Sequence, residues 1–267
     1  MRLGKVGQRV LAILGNTVVA FLVLPILVVI PLSFTPGTVF DFPPDGLSLR
    51  WYQDFFGDER WISAAWLSIR LGVAVAVTST ALGLLAAIAL TRYIKKGAFL
   101  VRGLLVAPLI VPPIVTAVAV FDIYVRVGLL RTFPGLVVAH TILALPFAVL
   151  LIESALRAVD FGPFEAALSL GATNRRAWRM VVLPGITPAL VASAVFSFLI
   201  SWDEVVLVVF IGGARSQTLP LRMFEFIETQ IRPTLAAVSS LIVYVIAAVL
   251  TIAYLRYRRS ISSPDRT

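Results

Sequence analysis

The sequence predicts an all-α membrane protein with six transmembrane helices, on three observations. Six apolar runs are each long enough to cross about 30 Å of hydrocarbon, which takes about 20 helical residues. Of the 267 residues, 59% are apolar and 14% charged, with a mean hydropathy of +0.96; soluble domains carry about a quarter charged residues. The basic residues sit in short blocks between the apolar runs, as topology determinants do.

The first run, near Val10–Leu32, follows the basic start MRLGKVGQRV, which looks like the opening of a cleavable signal. The run continues to about Leu32 with no small-residue cleavage site, so it reads as an uncleaved first span. The loop Ser33–Ser63 is the longest and contains Pro36-Gly37 and Pro43-Pro44. Within it, LSLRWYQDFF (Leu47–Phe56) sets Trp51, Tyr52, Phe55 and Phe56 at helical spacing, the pattern of a helix lying at the headgroups.

The second span, near Ala64–Thr91, has Arg70 and Arg92 toward opposite ends, where both can snorkel to a surface. The third, Gly103–Val125, holds Pro112-Pro113, which removes two successive donors in mid-span and marks the sharpest break. Pro25 in the first span and Pro146 in the fourth, Leu136–Leu156, are further kink sites. His140, the one histidine, also lies in the fourth span. Alone it makes no multi-histidine metal site, and it reads as a buried polar contact between helices. The fifth and sixth spans are placed at Pro188–Ile211 and Thr234–Leu255.

Orientation follows from charge. One side carries Arg2, Lys5, Arg9, Arg92, Lys95, Lys96, Arg102, Arg157, Arg175, Arg176, Arg179, Arg256, Arg258, Arg259 and Arg266 against Glu153, Asp160, Glu165 and Asp265. The other side has eight basic and ten acidic residues. The positive-inside rule puts both termini, and the loop around Glu165, in the cytoplasm.

Several function classes are disfavoured. With no cysteine there is no disulfide framework, thiolate metal site or cysteine nucleophile. The formal charge of +9 is spread between spans rather than gathered in a tail or an aromatic-interleaved patch, so nucleic acid is not the expected partner. Neither GxxxxGK[ST] nor GxSxG occurs, and the chain is not expected to hydrolyse ATP itself. An intramembrane enzyme would lack parts, with one histidine and no cysteine. Asp122, Asp203 and Glu204 leave an ion-coupled secondary transporter as a rival, since ionisable groups in spans usually face a cavity. Asp122 stands four residues before Arg126, so it is either half of a local ion pair or a pathway residue. Asp203 and Glu204 are adjacent and cannot share one helix face. They serve either contact with a cationic substrate or an internal gate, or else structural hydrogen bonds to a neighbouring helix.

The most informative stretch is EAALSLGATNRRAWRMVVLP, Glu165 to Pro184, a polar island between two spans. Gly162-Pro163 suits a first helical turn, and Phe164–Leu170 reads as a short helix with Glu165 favoured by the helix dipole. Gly171 supplies a corner that a Cβ would resist. Thr173 caps a second helix, Asn174 to Leu183, which Pro184 is expected to stop. Arg175, Arg176 and Arg179 face either anionic lipid headgroups or acids of a partner. Trp178 either anchors at the interface or packs into that partner.

This stretch resembles the EAA loop of binding-protein-dependent ABC importer permeases, on Glu165, Ala166, Ala167, Gly171, Val181, Leu183 and Pro184, with Val181 where isoleucine is commoner. The stretch from Ser197 to Ile227, with Asp203-Glu204, Phe210, Gly212-Gly213 and Leu219-Pro220-Leu221, is similar to the second permease subunit of spermidine/putrescine-type importers. Permeases for ferric iron, opines, aminobutyrate and phosphonates have similar sequences. The resemblance implies a type I ABC importer permease (MetI-like) fold in a bacterial inner membrane. It implies a core of five spans over 63–257 with the coupling loop at 160–185, preceded by a first helix and external loop over 1–62 and followed by a cytoplasmic tail, 258–267. It implies a second permease subunit, an ABC ATPase dimer that docks the Glu165 loop and uses ATP and Mg, and an extracytoplasmic solute-binding protein. The Leu47–Phe56 segment would then be either a membrane anchor or part of that binding protein's docking surface. No cofactor bound by this chain is implied.

Overall fold

The computed structural model describes residues 5–213, 216–229 and 232–261. Arg2, Asp265 and Arg266 of the orientation argument lie outside the described residues, as do the side chains of Lys5 and Arg259. The described residues form two compact units.

One unit holds the described residues up to Ile62 and from Met223 onward, so the first and last spans share it. Helix α1 (Lys5–Leu32) runs unbroken through Pro25 and packs on α12 (Thr234–Ile261). Side chains such as Phe21 and Leu24 are exposed along α1, as on a helix solvated by hydrocarbon. Helix α2 (Arg50–Gly57) also packs on α12. It starts three residues after the expected Leu47, and its aromatics divide by face. Trp51 is buried with its indole N–H donating to the Thr35 carbonyl at 2.7 Å, and Phe55 is buried beside Trp61. Phe56 stays exposed. Tyr52 is half-buried, its hydroxyl 2.7 Å from Ser33 Oγ, so three of the four aromatics pin the long loop to the protein.

The second unit, Ser63–Arg222, carries the middle of the chain. Helix α3 (Glu59–Ile88) enters it and ends in a π-helical turn, Ala89–Tyr93. Helix α4 (Ala98–Val106) and a 3-10 turn, Ala107–Leu109, lead to α5 (Pro113–Val127) at a bend of 100°. The bend falls at the paired prolines: Pro112 takes an extended ψ of 135°, the conformation a residue before proline prefers, and Pro113 opens α5. Pro146, by contrast, leaves α6 (Phe133–Ala158) continuous. After α6 come α7 (Gly162–Ser169), α8 (Asn174–Ala177), a π-helical turn Trp178–Val182, α9 (Leu183–Asp203), α10 (Val206–Ile211) and α11 (Leu219–Thr229), the last leaving this unit at its C-terminal half. Among the described residues five helices are long and apolar enough to cross a membrane, and the bent α4–α5 pair makes a sixth crossing.

Three expectations are corrected here. Pro184 does not stop the helix: residues Asn174–Asp203 run on as one 30-residue span through the π turn. In that turn the Leu183 N–H reaches back five residues to the Trp178 carbonyl. The wider register leaves a vacancy in the ladder at which a residue without an N–H is tolerated. The fifth span also ends earlier than Ile211, because Glu204 turns extended and separates α9 from α10. Finally, α11 falls where only a loop was expected.

Helices α6 and α9 pack antiparallel along their length, Ile152 and Leu156 clustering with Val182 and Ile186 at one end and His140 meeting Ser201 toward the other. Their seam is lined by small and polar groups. Ser193, Ser197 and Ser201, spaced one turn apart on α9, are all buried. The His140 Nδ1–Ser201 Oγ distance is 3.1 Å, which makes this histidine the interhelical contact expected of it. Thr78 and Thr80 on α3 join Thr141 on α6 (2.8 Å) and Ser193 on α9 (3.2 Å). Gly83 lets α3 lie against α6: an added Cβ would stand 2.7 Å from that of Ala148. Where hydrocarbon surrounds a bundle, close packing and such hydrogen bonds supply the cohesion that water supplies to soluble cores.

Candidate functional site

The stretch singled out in the sequence folds into a knob between α6 and α9. Asp160 Oδ1 accepts from the Gly162 N–H at 2.9 Å and starts α7. The helix ends in paired bonds, Gly171 N–H to Leu168 O at 2.9 Å and Ala172 N–H to Ala167 O at 3.0 Å, with Gly171 at φ +87°. That closure needs a left-handed residue, which is why glycine stands there. The Thr173 hydroxyl then accepts from the Arg176 N–H and opens α8. The corner and the cap both stand where the spacing placed them.

The knob's outer face is open. Glu165, Ala166 and Gly171 are exposed, Leu170 is 88% exposed and Met180 65%. The Glu165 carboxylate has no ion pair among the described residues. Ala167 and Leu183 are half-buried, and Pro184 is exposed. A Cβ on Gly171 would meet nothing within 4 Å, so bulk added there projects outward.

Its inner face is a foundation that spacing alone did not reveal. Phe164, Ala177, Val182 and Ile186 pack with Ala87 of α3 and Ile152 and Leu156 of α6. Trp178 is half-buried and packs edge-to-face against Phe164 and Phe161, ring centroids 6.0 and 6.5 Å away, so it braces the knob from within. Arg92, expected only to snorkel, lays its guanidinium 3.9 Å from the Phe161 ring centroid and 5.8 Å from that of Phe164. Nearby on α6, buried Glu153 is held by Arg102 of α4 and, at 2.8 Å, by Arg157 one turn on. The Arg157 pair had an i, i+4 signal; the Arg102 pair, 51 residues apart, had none.

The three acids of the expected pathway have different surroundings. Asp122 pairs with Arg126 at 2.9 Å, both side chains well exposed. Glu204 is half-buried and its Oε1 accepts from the Leu207 N–H at 2.9 Å, capping α10. Asp203, last residue of α9, is exposed, and the residue before it, Trp202, stacks on Phe198. Among the described residues no three histidine, cysteine, aspartate or glutamate side chains gather as a metal site would need.

The geometry can be set beside known proteins. The family described as the inner membrane component of binding-protein-dependent transport systems matches residues 79–263, which include the whole knob. The spermidine/putrescine transport system permease protein PotC of Haemophilus influenzae is 32% identical over 243 residues, 91% of this chain and 94% of that one. The putrescine transport system permease protein PotI of Escherichia coli is 28% identical over 92% of this chain and 88% of its own. Among solved structures, a chain of a bacterial alginate ABC transporter, crystallised with its alginate-bound periplasmic protein, superposes with a TM-score of 0.71 at 16% identity, covering 96% of both chains. A helical bundle of this architecture, matched over most of its length, belongs to the binding-protein-dependent ABC importer permeases, so the chain is a multi-pass transport subunit and not an enzyme.

Proposed function

We propose that this chain is one of two permease subunits of a polyamine importer in a bacterial inner membrane. It lines a path for spermidine or putrescine handed over by an extracytoplasmic binding protein, and its knob, Glu165 to Pro184, docks into one subunit of an ABC ATPase dimer that uses ATP and Mg. The observation that carries the reading is the knob itself. An unpaired acid, a bare alanine and open apolar side chains sit on a rigid base and lead, without a break, into a membrane-spanning helix. A partner that grips the knob therefore pulls directly on α9, and α9 shares a polar seam with α6. The substrate reading is supported by the spermidine/putrescine relative and by the end of α9, where an exposed carboxylate, Asp203, follows the stacked rings of Phe198 and Trp202, groups that each suit a cation. Glu204 holds the break that presents Asp203, while Asp122 is neutralised locally by Arg126.

The test is uptake of labelled putrescine and spermidine in a deletion strain. This permease should restore uptake, and Gly171→Asp should abolish it while the protein remains in the membrane. Depleting ATP should abolish it as well. Uptake that survives Gly171→Asp would refute the docking role. Failure to carry either polyamine would refute the substrate and leave the family untouched.

A further inference from the structure

The link between α3 and α4 carries three cations that no carboxylate answers. Arg92, Lys95 and Lys96 are exposed and have no ion-pair partner among the described residues. The nearby acid, Glu153, is already taken by Arg102 and Arg157, and Asp160 accepts from the Gly162 N–H. Around the cations the surface is apolar: Tyr93 is 72% exposed, Phe99 81%, Leu100 73% and Leu104 77%. Helix α4 buries none of its side chains. Leu100 and Leu104, one turn apart, share an outward face. Water solvates such a surface poorly, whereas the headgroup layer of a bilayer meets both requirements, with phosphates for the cations and chain ends for the rings and leucines. The charge distribution places this link on the cytoplasmic side, where anionic lipid attracts basic segments.

We propose that residues 92–104 form a seat for an anionic phospholipid. Lys95 and Lys96 hold its phosphate, and Phe99, Leu100 and Leu104 take its acyl chains. Arg92 ties the seat to the knob, because its guanidinium already lies over Phe161 and Phe164. A phosphate beside it holds Arg92 on those rings and steadies the base on which the knob stands. The occupant is lipid rather than an acidic protein surface, since the exposed Phe99, Leu100 and Leu104 follow directly on the cations, on the face of α4 turned away from α6.

The purified full-length chain, in neutral detergent, is titrated with phosphatidylglycerol or phosphatidylcholine and bound lipid is counted by native mass spectrometry. The unmodified chain should retain phosphatidylglycerol selectively. Lys95→Gln/Lys96→Gln should weaken that binding by roughly 25-fold, about fivefold per lysine, with phosphatidylcholine unaffected. Arg9→Gln/Arg256→Gln removes the same charge from the same side and should leave binding intact. Equal loss in that control, no preference between the lipids, or a protein acid as the only ligand captured would overturn the seat. Displacement by free glycerol 1-phosphate would make it a phosphate site and overturn the lipid. A lower melting temperature of the lysine variant without lipid would assign the lysines to the fold, also against the seat. No transport is measured, so a chain that carries some other solute leaves these outcomes unchanged.

Discussion

Gly171 shows what one residue contributes here. Its φ of +87° costs an L-residue about 1–2 kcal/mol, and no neighbour stands within 4 Å of an added Cβ. Gly171→Ala should therefore insert normally and lower uptake in part, while Gly171→Asp adds bulk and charge on the open face and should end it; uptake against membrane level separates the two. At the opposite end of α9, the two acids have separable tasks. Asp203→Asn removes an exposed charge and should raise the KM for polyamine with little change in protein level. Glu204→Gln keeps an oxygen to cap α10 and should be milder than Glu204→Leu, which leaves the Leu207 N–H without its acceptor. Uptake kinetics on the three variants check the division. Arg92 was readable as a cation near a span end, but its aromatic partners lie about 70 residues on, and no local pattern pairs them. The same holds for Arg102 and Glu153.

Helices were legible where their length or their punctuation was distinctive. Membrane-length apolar runs, the double proline and the Gly171 corner each carried a physical requirement that had one answer. Two elements were hidden for equally physical reasons. Pro184 reads as a stop in an α-helix, because the ring clashes with the carbonyl four residues back; a π turn removes that objection and leaves no trace in composition. Helix α11 is short and carries Glu225 and Glu228, so it lacks the apolar length by which spans are recognised. Pro184→Ala restores the missing donor and favours an ordinary α register, turning the knob relative to α9. Helix content by circular dichroism should hold while uptake falls. Gly83→Leu tests the other kind of constraint. Overpacking a close helix contact costs about 1–3 kcal/mol, and thermal denaturation in detergent should show the loss if α3 and α6 depend on that approach.

At the scale of the whole molecule, the chain's lack of cysteine makes its topology directly measurable. Single cysteines at Leu47 (82% exposed) and Leu170 (88% exposed) should react with an impermeant maleimide from opposite sides of the membrane, Leu47→Cys in intact cells and Leu170→Cys only in inverted vesicles. Labelling of both from one side would contradict the charge-based orientation. The grouping of the first span with the last in one unit was not legible, because periodicity places a helix but does not choose its neighbour. The unbroken passage from α8 to α9 has a mechanical meaning. Thirty residues at 1.5 Å each make a rod of about 45 Å that runs from α8 of the knob to Asp203. A tilt of about 5° imposed at one end displaces the other by about 4 Å, more than the reach of a hydrogen bond. In the proposed importer this span would be a lever arm, and a short swing at its water-exposed end would be read out as an opened or closed contact on the far side of the bilayer.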